Sequence, residues 1–173
     1  MTAHAKSEIS ETTVAIRRVT VTSARPFDDV VAALYAGLGR VPNFADLVRD
    51  WSAATDRDEF EAVVGPVAGS SGLIEFLSLD LGAAVTIRNP DRGRRMLRII
   101  AGNPVTMSKM AASVPDVGSY APVTVLVVER AEGVTLSYDR VASAIAPYAG
   151  QEALAVAEAL DTAVVTLLRD AAG

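Results

Sequence analysis

The stretch from Met96 to Asp139 constrains the fold more than any other part of the chain. It reads as a strand (MLRIIAG), a sharp Asn103-Pro104 step, a short helix bearing Met107 and Met110, a Gly118-Ser119-Tyr120 turn, and two strands, APVTVLVVER and GVTLSYD, joined at Glu132-Gly133. Proline has no amide proton and disfavours helical dihedrals in the residue before it, so Asn103 stays extended. Pro104 then suits the first helical position, and the Asn103 side chain is placed to cap the helix. Val105, Met107, Met110 and Ala111 give that helix an apolar side, and Pro115 is expected to stop it. In the strand entered at Pro122, Val123, Val125 and Val127 alternate with Thr124, Leu126 and Val128. Apolar residues on both faces predict an interior strand covered on both sides. The outer cover is expected from either a second subunit or an insertion of the chain itself.

The flanking segments supply the rest of a sheet and its helices. TVAIRRVTVT (13–22) is rich in β-branched residues and reads as a first strand, with Arg17-Arg18 suggesting an edge or a bend. From Pro26 to Leu38, Phe27, Val30, Val31, Leu34 and Leu38 recur at helical spacing, with Asp28 and Asp29 at the positive helix end. Residues 42–65 predict a helical insertion: one short helix marked by Phe44, Leu47, Val48 and Trp51, and a second capped by Thr55. Trp51 is expected either on the sheet or in a subunit contact. LIEFLSLDL (73–81) reads as the second strand. Strict alternation there places Glu75 on one face with Leu73, Leu77 and Leu79, and Asp80 on the other with Phe76 and Ser78. NPDRG (89–93) is turn chemistry and 141–150 reads as a loop. Residues 151–170 predict the strongest helix, with Leu154, Ala157, Leu160, Val164, Leu167 and Leu168 along one side. The expected organisation is a polar leader over 1–12 followed by one α+β domain over 13–173.

Composition excludes several function classes. Half of the residues are apolar, which argues for a packed core over a disordered chain. The net charge of −5 disfavours nucleic acid and anionic membranes as partners, since both require a clustered basic face. The basic run Arg92–Arg98 is short and reads as a solvated patch beside a strand. The chain has no cysteine, and its one histidine, His4, sits in the polar leader. Thiolate chemistry, histidine-built metal sites and a Ser-His-Asp triad are therefore disfavoured, and no metal or cofactor is expected. GPVAGSSG has no lysine and lacks phosphate-loop spacing. No apolar run approaches the roughly 20 residues a membrane span needs, and MTAHAKSEISETT has no signal-peptide core, so a cytoplasmic protein is expected.

IEFLSLDLG, IIAGNPVTMSKM, PDVGSYAPVTVLVVER, EGVTLSYDRV and APYAGQEALAVAEALDTAVVTLL resemble the bacterial DUF302 family, a domain of unknown function. The Asn-Pro after a strand, the Tyr-Ala-Pro strand entry and the Ser-Tyr-Asp strand exit carry the resemblance, which covers 72–170. It implies a TATA-binding-protein-like order of strand, helix, four antiparallel strands and C-terminal helix, and a homodimer. It brings no catalytic residue set. The stretch 41–71 is longer than in the compact members.

Three functions remain open. The first is a dimeric protein binding a small apolar molecule between helix and sheet, with Phe76, Met107 and Met110 as walls and Asn103, Tyr120, Tyr138 and Asp80 as candidate polar groups. The second is a metal-free isomerase, cyclase or lyase in which Glu75 or Asp80 accepts a proton and Tyr120 or Tyr138 donates one. A carboxylate hydrogen-bonded to a tyrosine in a buried setting would favour it. The third is an accessory domain acting through an interaction surface.

Overall fold

In the computed structural model, which describes residues 8–173, the chain has mixed α and β elements, as expected. In order they are β1 (Arg18–Ser23), α1 (Phe27–Gly37), α2 (Phe44–Ser52), α3 (Arg57–Val64), β2 (Ile74–Asp80), α4 (Leu81–Arg88), β3 (Met96–Gly102), α5 (Pro104–Ala111), β4 (Val123–Arg130), β5 (Gly133–Asp139), α6 (Val141–Ile145) and α7 (Gln151–Ala172). The strands form one antiparallel sheet in the order β1-β5-β4-β3-β2, so β4 occupies the interior position that its two apolar faces predict. Most of the expected leader, including His4, lies outside the described residues; 8–12 have no regular structure.

One face of the sheet carries the main core. Val123, Val125 and Val127 of β4, Ile99 of β3 and Leu136 of β5 pack against Val30 and Leu34 of α1 and Ala157, Val164 and Leu168 of α7. A second, smaller cluster forms where α2 and α3 bring Leu47 and Val64 onto Ile74 of β2. The helical insertion thus has its own apolar anchor. Trp51 belongs to this cluster, with its ring edge-on to Phe44 at 5.6 Å between centroids.

Several local expectations are corrected. β1 begins at Arg18 rather than Thr13; Arg17 is held by Ser143 and Arg140 outside the sheet. α3 is capped by Asp56, whose carboxylate accepts from Glu59 N at 2.9 Å, while Thr55 donates its N–H and hydroxyl to the Glu59 carboxylate. α4 has only Gly82 buried, so it has no apolar stripe for periodicity to reveal. α6 replaces the expected loop because its cap comes from Asp161, twenty residues downstream of its start.

The register of β2 also departs from strict alternation. A bulge between Glu75 and Leu77 sets Glu75 opposite Ala101 and Leu77 opposite Ile100. One residue is therefore inserted, and Phe76 is the extra one. The bulge puts Glu75 on the same face as Ser78 and Asp80, under α1, and turns Leu77 and Leu79 to the opposite face, where they are 48% and 37% exposed.

Candidate functional site

The Asn103-Pro104 step builds one side of a cavity. Asn103 Oδ1 accepts from Val105 N at 2.9 Å and Thr106 N at 3.3 Å, which starts α5 directly at the end of β3. Its Nδ2 donates to Gly72 O at 2.9 Å, tying the same corner to the entry of β2. With the start of α5 fixed, Met107 and Met110 fall one turn apart and both line the space beside Val123 and Leu160.

The bulge and the insertion build the other side. Phe76, displaced by the bulge, lies over Gly102: a Cβ there would meet the Phe76 ring and Pro122 at 3.3 Å. Phe76 in turn stacks at 4.3 Å on Phe44, which stands two helical turns before Trp51 on α2. The three rings face the two methionines across a cavity of about 270 Å³. Apart from the Trp51 indole N–H, Asn103 contributes the one polar side-chain group among its described lining residues, and both ends of that amide are already engaged by the backbone.

Of the expected binding residues, Phe76, Asn103, Met107 and Met110 thus surround one cavity. Tyr120 does not. It lies in a separate groove of about 530 Å³ that Tyr138 also lines, with Arg18, Arg98, Ser137 and Arg140.

The expected acid–base residues stand in three separate places. Glu75 pairs with Arg40 at 2.6 Å and accepts from Ser78 Oγ at 2.6 Å; the Ser78 hydroxyl also bonds Tyr35 of α1 at 2.9 Å. The Arg40 guanidinium stacks over the Tyr35 ring at 4.5 Å, closing a four-residue ring that locks α1 to the bulge. Asp80 caps α4 by accepting from Ala83 N at 2.9 Å. Tyr138 is buried on β5 and donates to Asp161 at 2.5 Å. Burial first, and that hydrogen bond second, push the Tyr138 phenol well above its ordinary range.

Asp161 is the residue that sequence reasoning missed. It is 1% exposed and lies inside the apolar stripe of α7. Besides Tyr138, it accepts from Val141 N at 2.8 Å and Ala142 N at 3.3 Å, so it caps α6; Arg140 stands 4.0 Å away. Its spacing gave a signal: four residues after Ala157 and four before Val165, it falls on the buried side of the helix. A carboxylate there requires partners.

The geometry can be set beside known proteins. The model of a family described as "Domain of unknown function DUF302" matches residues 51–169, more than half of the chain. That span contains every cavity residue named above except Phe44. Among curated proteins, none matches. The crystal structure of an uncharacterized conserved DUF302 protein from Bacillus stearothermophilus is similar in fold, with a TM-score of 0.62 over 88% of this chain and 96% of that one, at 9% identity. Fold similarity at that identity, together with a sequence match running from Trp51 almost to the end of α7, places the chain in the DUF302 family.

Proposed function

We propose that this protein binds a small apolar molecule in the cavity between the α2–α3 insertion, the β2 bulge and α5. The observation that carries this reading is the convergence of Phe44, Trp51, Phe76, Met107 and Met110 on one space of about 270 Å³. An apolar cavity of roughly 150 Å³ in another protein takes up benzene, so this volume suits a somewhat larger ligand. Thermal melting across a library of apolar compounds tests it. A ligand selective for the folded state raises Tm with concentration. Absence of any shift, with the Met107 and Met110 methyl resonances unmoved, would remove the proposal.

The binding protein works as a homodimer in this reading. Support comes from the sheet face opposite α1 and α7, where Leu77 and Leu79 are exposed beside the half-buried Ile100 and Leu126. A two-fold axis would let this one patch cover its own copy. Sedimentation velocity over a concentration series measures it; a single monomeric species at all concentrations would exclude the dimer.

The enzyme reading finds less support. The carboxylate–tyrosine pair it asks for exists in Asp161 and Tyr138, but both are buried and Asp161 has three donors already. Such a pair serves as a structural cap, with no free oxygen for a substrate. Among the described residues, no helix is long and apolar enough to cross a membrane.

A further inference from the structure

The walls of the cavity specify more than apolarity. Phe44 and Phe76 lie at 4.3 Å with their planes 30° apart, and Trp51 meets Phe44 at 70°. The three rings that line the cavity are therefore not coplanar, and aromatic pairs favour such offset and edge-to-face arrangements because ring faces and edges carry opposite partial charge. Across the cavity, the thioethers of Met107 and Met110 supply polarisable sulfur, which favours the edge of an aromatic ring. No charged side chain is among its described lining residues. The Asn103 oxygen is occupied by two backbone amides and its nitrogen by Gly72 O. A ligand charge placed here would have no counter-ion and would lose its hydration.

We infer that the ligand, or the part of it that enters this cavity, is a neutral aromatic ring system of about bicyclic size. This rests on the binding role proposed above and narrows it to one chemical class. A carboxylate, phosphate or nucleotide headgroup is excluded from the space itself, because it would be an anion with no counter-ion there. A neutral aliphatic chain fits the volume but forfeits the ring–ring and sulfur–ring contacts. The insertion is then the selective element: Phe44 and Trp51 come from α2, which packs in its own cluster with Leu47, Val64 and Ile74. A ring held between these residues and Met107 and Met110 bridges the two apolar clusters of the protein.

The test uses the full chain carrying ¹³C-methyl methionine, titrated with three probes: indole, octan-1-ol and indole-3-carboxylate. Indole is expected to shift the Met107 and Met110 methyls upfield by its ring current and to leave Met96, at the far end of β3, unmoved. It should bind about tenfold tighter than octan-1-ol, the scale that ring contacts add beyond buried area. It should also bind at least about tenfold tighter than indole-3-carboxylate at neutral pH, because that probe is anionic. Octan-1-ol binding as well as indole would overturn the aromatic assignment and leave the apolar pocket standing. Equal affinity for indole-3-carboxylate would overturn neutrality. No response of Met107 and Met110 to any probe would overturn this inference and the binding function together. Met107→Trp should fill the space and abolish indole binding with the far-UV spectrum retained. If that variant fails to fold, Phe44→Ala serves instead: it should weaken indole selectively, and equal weakening of octan-1-ol would count against the ring contacts.

Discussion

Asp161→Ala should be the most destabilising polar substitution in this protein. The side chain accepts from Tyr138 Oη at 2.5 Å and Val141 N at 2.8 Å, with Ala142 N at a weaker 3.3 Å. Tyr138 and Val141 are 2% and 1% exposed, so water cannot replace the lost acceptor without local opening. Each orphaned buried donor costs about 1–3 kcal/mol, which gives roughly 2–6 kcal/mol for the two close ones. Relief of the Asp161 desolvation penalty and the higher helix propensity of alanine reduce this, so the expected loss is about 3 kcal/mol. Against a total of roughly 5–15 kcal/mol that is a large fraction. Urea denaturation read by far-UV circular dichroism and by Trp51 fluorescence measures it. With a slope of about 2 kcal/mol/M, the midpoint falls by roughly 1.5 M. Asp170→Ala, on the exposed side of the same helix, is the control and should stay within about 0.5 kcal/mol of wild type. An Asp161→Ala variant within about 1 kcal/mol of wild type would refute the reasoning, because it would mean the α6 amides and the phenol find other partners.

Three further outcomes are expected. Tyr138 has its folded-state pKa raised above an unfolded value near 10, so its contribution is complete below about pH 10 and is lost as pH rises beyond it; Tyr138→Phe should flatten the alkaline limb of a pH–stability profile. Asp139 behaves in the opposite sense: the Arg18 hydrogen bond holds its carboxylate below the ordinary range, so its contribution is present above about pH 4 and is lost as pH falls through the folded value. The pair is exposed, so Arg18→Ala should cost less than about 1 kcal/mol at neutral pH by chemical denaturation, and a larger loss would show the edge strand to depend on it. Asn103→Ala should lose about 1–2 kcal/mol by the same measurement, from the missing cap of α5 and the missing bond to Gly72, and a loss below about 0.5 kcal/mol would show the cap to be redundant.

The parts of the fold that local rules govern were legible in advance, and the parts set by long-range partners were not. β4 announced its interior position through two apolar faces, and Asn103-Pro104 announced the strand-to-helix step through dihedral sterics alone. α6 could not be read, because what holds its first amides is a carboxylate on α7. α4 escaped because it buries almost nothing. Glu75 was misplaced for a single reason. Strand alternation assumes an unbroken register, and one inserted residue exchanges the two faces for every position that follows. The cavity was partly legible, since Phe76, Asn103, Met107 and Met110 drew attention one by one as adaptable apolar walls or a placed polar group. The helical pattern makes Phe44 a helix-packing residue and puts Trp51 on the sheet or in a subunit contact, and assigns neither to a cavity. Their role as a wall depends on where the insertion lands on the sheet, which its own amphipathic pattern does not encode.

The bulge in β2 links these observations. Without it, Phe76 would take its place in a regular alternation opposite Ile100, and Leu77 would lie across from the buried Ile99 instead of Ile100. The inserted residue frees Phe76 to lean over Gly102, and Gly102 lacks the Cβ that would crowd the ring. Phe44 then has an aromatic surface to stack on, and Trp51 follows from its position on the same helix. The same insertion carries Glu75 under α1, where Arg40, Ser78 and Tyr35 hold it. One backbone irregularity thus removes a carboxylate from the strand's leucine face and supplies an aromatic wall to the cavity. Phe76→Ala and a deletion that restores regular register should therefore differ. The first removes a wall and leaves the Glu75–Arg40 pair in place; the second should break both. Ligand affinity and the stability change caused by Glu75→Gln, measured in each background, separate the two. Equal coupling to Glu75 in both would mean that the bulge does not organise the site.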